Sequence, residues 1–142
     1  MKRILIVNAN YYKEISNKLI LSSKKKLPKN RVKISIINVP GIYEIPIAIK
    51  KNVKKFDGFV ALGCIIKGQT PHFDLICLSV FNSILDLSIS FNKPIGNGII
   101  TAYNMNQALQ RCKNNNKNKK PNKGSEAANA VMSILQNGPK KI

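Results

Sequence analysis

The fold of this chain is decided by the stretch GFVALGCII, residues 58–66, which contains no charged side chain. Short apolar runs between polar segments are typical of strands that are covered on both faces, as in the centre of a parallel sheet. We therefore predict that residues 58–66 form the central strand of such a sheet.

On both sides of this run, short β-branched segments alternate with segments of helical periodicity. The predicted strands are residues 4–7, 31–39, 58–66 and 94–101, and the predicted helices are residues 14–27, 42–53, 70–91, 104–112 and 124–135. Such alternation predicts parallel strands joined by helices on both faces. The expected fold is α/β, a three-layer sandwich with a four-stranded parallel sheet in flavodoxin-like order flanked by helices. We expect one domain over residues 1–142.

The net charge is +18, from 24 Lys and Arg against 6 Asp and Glu. Such an excess can indicate a nucleic-acid-binding surface. The lysines are, however, spread along the chain among many asparagines and isoleucines, a mixture that drift in an AT-rich genome would produce. Drift is the preferred interpretation and functional binding the alternative, so we expect no specific nucleic-acid partner. A basic surface would still attract phosphorylated small molecules.

The cysteines and the termini indicate the compartment. Three cysteines at unrelated spacings and a single histidine do not match a zinc pattern, so no metal site is expected. No signal peptide is recognisable, and we expect no apolar stretch to approach the roughly 20 residues that span a bilayer. We expect a cytoplasmic protein without a membrane partner.

The segment KGQTPHF, residues 67–73, follows the central strand and begins the longest predicted helix. Thr70 is expected as the N-cap and Pro71 as the first helical residue. Gly68 would let a ligand approach the backbone, and the free amides of a helix start form an anion site. His72 would lie where the helix dipole favours a neutral imidazole that accepts protons. An ordinary helix start with a solvent-facing histidine fits the pattern equally well.

Ligands of open parallel sheets bind beyond the carboxyl ends of the strands, where several further candidates occur. Tyr11, Tyr12 and Tyr43 could stack on a flat heterocycle, although packing roles are commoner for such residues. Glu44 could accept hydrogen bonds from a ligand, with helix capping as the preferred alternative. Arg111 and Lys123 could bind phosphate or simply face water.

The helix predicted at residues 70–91 is apolar around most of its circumference. A helix of this kind is buried on several sides, which one sheet in one domain does not provide. We therefore expect an oligomer packed through this helix, and the alternative is that the terminal helices cover it.

Three blocks of the chain together resemble one known family. They are VPGIYEIP at residues 39–46, ALGCIIKGQTPHFD at residues 61–74 and NKGSEAA at residues 122–128. The chain is similar in these blocks, and over residues 3 to 135, to the 6,7-dimethyl-8-ribityllumazine synthase family.

The resemblance implies that 5-amino-6-(D-ribitylamino)uracil condenses with 3,4-dihydroxy-2-butanone 4-phosphate. The reaction would pass through a Schiff base, eliminate phosphate and close the ring without a metal or organic cofactor. Its product is the direct precursor of riboflavin, which implies a functional link to riboflavin synthase.

The resemblance also assigns roles by matching position, with His72 as the acid–base residue. The residues implied around the pyrimidine and the ribityl chain are Tyr11, Ile42, Tyr43, Glu44, Cys64, Ile65, Ile66, Asn97 and Lys123. The residues implied around the phosphate are Gln69, Thr70 and Arg111. Asn97 would close the pocket from a neighbouring subunit.

The chain departs from the family pattern at three positions. Asn10 stands where many members carry arginine, Lys67 replaces an arginine, and Asn97 stands where some members have phenylalanine. Family members form pentamers, some of which assemble into shells of sixty subunits. We expect a free pentamer, because the first strand starts almost at Met1 and the Lys/Asn-rich loop at residues 113–122 is longer than in shell-forming members.

Overall fold

The computed structural model describes residues 1–113 and 121–142. The strands are β1 (Lys2–Ala9), β2 (Val32–Val39), β3 (Gly58–Ile66) and β4 (Ile95–Ala102). The helices are α1 (Lys13–Lys26), α2 (Ile45–Asn52), α3 (His72–Phe91), α4 (Met105–Gln110) and α5 (Lys123–Gln136). Most of the loop predicted at residues 113–122 lies outside the described residues.

The four strands form one parallel sheet in the order β2-β1-β3-β4. This confirms the predicted α/β sandwich and its flavodoxin-like order. Strand β3 is central, and its first seven residues are buried. All four carboxyl ends meet at the same edge of the sheet because every pairing is parallel.

The two faces of the sheet carry separate hydrophobic cores. Alternate residues of a strand point to opposite faces. Leu62 and Ile100 therefore pack towards α1 and α5, whereas Ala61 and Ile99 pack towards α2 and α3.

Two helix starts differ from the prediction, and Pro46 explains the first. A helix from Ile42 would need an N–H at Pro46 to bond the Ile42 carbonyl, and proline has none. The chain instead forms a short 3-10 turn at Ile42–Glu44 before α2 begins. Helix α3 begins at His72, with Pro71 rather than Thr70 at its N-cap position. The Leu75 N–H donates to the Pro71 carbonyl at 3.2 Å, and this bond closes the first turn.

Helix α3 is long and apolar enough to cross a membrane by length and composition, contrary to the expectation that no stretch reaches that length. Its ends, however, join β3 and β4, which are hydrogen-bonded neighbours over eight residue pairs. The helix packs along the sheet through Val80 and Ile84. A bilayer-spanning α3 would require the separation of β3 from β4.

Candidate active site

The carboxyl edge of the sheet brings together most of the predicted site residues. Tyr11 lies two residues beyond β1, the turn Ile42–Glu44 follows β2, and Ile65 and Ile66 end β3. The Lys67 N–H donates to the Ala102 carbonyl at 2.9 Å, so the loop before α3 starts at the end of β4.

The two tyrosines are open to solvent rather than packed into the core. Tyr11 is 74% exposed and Tyr43 is 66% exposed. The Tyr11 ring meets Tyr12 edge to face, with 4.9 Å between the ring centroids. The packing role considered as the commoner alternative is therefore wrong for Tyr11 and Tyr43, whereas Tyr12 is half-buried and packs against the core on the α1 and α5 face.

Ile42 and Cys64 lie near the carboxyl edge but belong to the cores on opposite faces of the sheet. Both are buried, and the Ile42 side chain occupies the space beside Gly63, where an added Cβ would approach Ile42 Cγ2 to 2.9 Å. Burial and then the nearby Cys112 thiol raise the pKa of Cys64 to about 12. The Cys64 thiol therefore stays protonated at neutral pH, which does not suit a nucleophile.

Glu44 occupies the N-cap position of α2, but its side chain makes no capping hydrogen bond. The preferred capping interpretation is wrong, because the carboxylate accepts no hydrogen bond from any residue that the structure describes. Glu44 instead lines a groove of about 380 Å³ together with Tyr43, Ser79 and Val80. A half-buried carboxylate with free acceptors suits a ligand that donates hydroxyl or amine hydrogens.

The loop at residues 67–72 is exposed throughout. A Cβ added at Gly68 would meet nothing within 4 Å, so the backbone there is open to a ligand. His72 is the first residue of α3, and Gln69 and Thr70 precede it in the loop. The first N–H groups of a helix lack intrahelical partners, so the loop and helix start offer free donors beside the imidazole.

Asn97 and Lys123 form a second group and line a second cavity of about 340 Å³ together with Phe81 and Glu126. Arg111 borders this cavity and the edge as well. The Lys123 N–H donates to the Arg111 carbonyl at 2.8 Å, and the Lys123 ammonium lies 3.3 Å from Glu126 Oε1.

The register of β4 measures the separation between the two groups. Asn97 pairs with Ala61, whereas Ala102, beside the loop, pairs with Ile66. Because a strand rises about 3.3 Å per residue, Asn97 lies about 16 Å along β4 before Ala102. Arg111 also lines a cavity of about 390 Å³ with Phe73, which places it between Asn97 and the loop. One chain thus carries an edge group around His72 and a β4 group around Asn97.

Three residues of these cavities were missed in the sequence. Ser79 and Ser83 line the Glu44 groove, and Glu126 pairs with Lys123. The sequence spacing could have predicted both findings. Ser79 and Ser83 follow His72 by seven and eleven residues and therefore share its face of the helix. Glu126 follows Lys123 by three residues, a spacing that brings two side chains together on a helix. Among the residues that the structure describes, no three His, Cys, Asp or Glu side chains cluster to hold a metal ion.

Comparison with known proteins adds independent evidence. The family model of 6,7-dimethyl-8-ribityllumazine synthase matches residues 1–137. The protein of that name from Bartonella bacilliformis is 40% identical over 136 residues, which cover 93% of this chain and 87% of the relative. The Agrobacterium fabrum protein of that name is 36% identical over 140 residues, covering 94% and 92%.

The match spans both groups of site residues, since it extends beyond Lys123. The exposed tyrosines, the free Glu44 carboxylate and the open loop before His72 therefore lie in a chain that belongs to the 6,7-dimethyl-8-ribityllumazine synthase family, enzymes of riboflavin biosynthesis.

Proposed function

We propose that this protein condenses 5-amino-6-(D-ribitylamino)uracil with 3,4-dihydroxy-2-butanone 4-phosphate to form 6,7-dimethyl-8-ribityllumazine and phosphate. One observation carries the proposal: a free carboxylate, an open anion-friendly loop and the only histidine share one sheet edge in a member of this family. The reaction needs orientation, proton transfer and anion binding, and these groups supply all three.

The pyrimidine would stack on Tyr11, with Tyr43 and Glu44 beside the ribityl hydroxyls. Tyr11 supports this role because it is 74% exposed, and Glu44 because its acceptors are free. The backbone of Ile65 and Ile66 would border the ring at the end of β3. Binding would thus depend on shape and hydrogen bonds, with no cofactor in the site.

The phosphate would lie against the amides of Gln69 and Thr70, at the positive end of α3. The pyrimidine amine attacks the ketone carbon, and the carbonyl oxygen leaves as water to give a Schiff base. His72 would move the protons that accompany loss of phosphate and closure of the second ring. Arg111 would pair with the departing phosphate, and Lys123 would lie near the reacting groups.

The site would be completed by a second copy of the chain. Asn97 lies about 16 Å along β4 from the edge group, so a neighbour's β4 group is the simpler source of these contacts. We propose a homo-oligomer packed through α3 and, of the family's assemblies, the free pentamer. Light scattering should give a mass of five chains, and a mass near sixty would contradict the free pentamer.

We place the reaction in the cytoplasm, where its three free cysteines would stay reduced. The substrates are small molecules, and riboflavin synthase would consume the product.

The proposed reaction is tested by mixing both substrates with the protein and following lumazine absorbance together with phosphate release. His72→Ala should lower turnover by about one to three orders of magnitude, as expected for a lost acid–base group. Asn129→Ala, at an exposed position of α5, is the control and should be unaffected.

Two outcomes would favour other functions. Absence of turnover with tight flavin binding would indicate a carrier. Absence of turnover with DNA binding that survives physiological salt would indicate a nucleic-acid scaffold, since purely electrostatic contacts weaken steeply with salt. Unchanged turnover in His72→Ala would remove His72 from the mechanism.

A further inference from the structure

Helix α3 exposes an apolar stripe on the side opposite its buried residues Val80 and Ile84. The stripe consists of large side chains that are 59–71% exposed: Leu75, Leu78, Leu85 and Ile89. Together with Asn82 these positions are spaced three, four, three and four residues apart. That spacing is the heptad pattern of helices that pack along a common seam.

In the homo-oligomer proposed above, the occupant of this stripe would be a second copy of α3. Residues 69–92 contain no lysine or arginine, although the whole chain has 24 basic residues. Identical helices can therefore approach without bringing cations together, and a heptad seam is complementary to itself. The sheet pairing of β3 with β4 argues against a bilayer as the occupant.

Asn82 is the one polar residue within this seam. It is exposed, and its side chain makes no hydrogen bond to the residues that the structure describes. An amide buried without partners is costly, whereas an Asn amide both donates and accepts hydrogen bonds. In a closed seam Asn82 is satisfied where the Asn82 side chains of neighbouring copies meet.

We propose that Asn82 fixes the register and the number of α3 helices in the assembly. A single asparagine at a core position of a coiled coil selects one register and one oligomeric state at some cost in stability. If neighbouring α3 helices were shifted along their axes relative to one another, the Asn82 amides would be buried without hydrogen-bond partners, so such arrangements are disfavoured. This inference rests on the proposed homo-oligomer but makes a separate claim about one residue.

The test compares wild type with Asn82→Leu by native mass spectrometry and light scattering. The control is Asn129→Leu, which makes the same change at an exposed position of α5. Wild type and control should give one mass. Asn82→Leu should give several masses or a different mass and should resist dissociation on dilution.

A second variant, Asn82→Ala, removes the amide without adding apolar bulk and should also lose the single mass. If Asn82→Leu, or Asn82→Ala where the leucine variant does not fold, retains the single wild-type mass, Asn82 does not select the assembly. That result overturns this inference alone. A monomeric wild type would overturn the proposed homo-oligomer as well.

Discussion

Helices α5 and α3 cover opposite faces of the same sheet, yet they use their apolar residues differently. Helix α5 has 14 residues and buries Gly124, Ala127, Ala128, Val131 and Met132. Helix α3 has 20 residues and a mean hydropathy of 1.5, but only Val80 and Ile84 are buried. The difference shows that α5 is covered within one chain, whereas most of the apolar surface of α3 is left uncovered in the residues that the structure describes.

Small residues explain why the α5 face closes. Gly124 lies against α1 so tightly that an added Cβ would be 2.5 Å from the Leu19 carbonyl oxygen. The Ser23 hydroxyl donates to the Gly124 carbonyl at 2.9 Å, which fixes the crossing of the two helices. Helix α3 instead carries leucine and isoleucine on its outer side, where nothing in the described chain covers them.

The largest effect is expected from a charge placed on the open face. Leu85→Lys should prevent assembly, because Leu85 lies in the exposed stripe and a buried cation is costly there. Loss of the neighbour's contribution should lower turnover roughly 100-fold, the scale of a misplaced catalytic geometry. Light scattering and the lumazine assay measure the two effects.

The matched control is Ile134→Lys on α5, because Ile134 is 67% exposed against 59% for Leu85. It should leave both mass and turnover unchanged. The comparison of the two helices fails if Leu85→Lys assembles normally, or if Ile134→Lys has the same effect as Leu85→Lys.

A smaller effect is expected from overpacking the closed face. Gly124→Ala should reduce the free energy of unfolding by about 1–3 kcal/mol, because the new methyl group forces α5 away from Leu19. Urea unfolding measures the change. Gly138→Ala is the control, since an added Cβ there meets nothing within 4 Å. If the two variants have equal free energies of unfolding, the contact between α1 and α5 can widen to admit a methyl group without destabilising the protein.

The smallest effect concerns thiol reactivity on the two faces. Burial raises the pKa of Cys64 to about 12 and also raises the pKa of Cys112, and both thiols are buried in the α1–α5 core. Cys77 on α3 is half-buried, and burial followed by Asp74 raises its pKa as well. A thiol-specific reagent should therefore modify the native protein slowly, and at the Cys77 thiol alone. Modification that persists in Cys77→Ser would indicate that the α1–α5 core opens.

Much of the fold follows from local pattern. The apolar run of β3 and the alternation of strands and helices predict a parallel sheet, and the structure confirms it. The start of α2 was misplaced because Pro46 lacks the N–H that a helix from Ile42 would need, and the N-cap of α3 is Pro71, one residue after the predicted Thr70. The carboxyl-edge rule alone located Tyr11, Tyr43 and Glu44 at the site.

The separation between the edge group around His72 and the β4 group around Asn97 could not be predicted from the local sequence pattern. It depends on strand register, which pairs Asn97 with Ala61, and register arises from tertiary packing rather than from nearby residues. The free state of the Glu44 carboxylate likewise depends on the turn at Ile42–Glu44, which places it at the cap position without a capping bond.

The claim that two chains share each site is tested most directly by mixing two inactive variants. His72→Ala disables the edge group, and Lys123→Ala disables the β4 group. The two proteins are unfolded together in equal amounts, refolded and assayed for lumazine formation. If each site joins the edge group of one chain to the β4 group of its neighbour in a ring, random mixing leaves about a quarter of the sites intact. We predict recovery of about that share of wild-type turnover; a mixture no more active than the two separate variants would place the whole site within one chain.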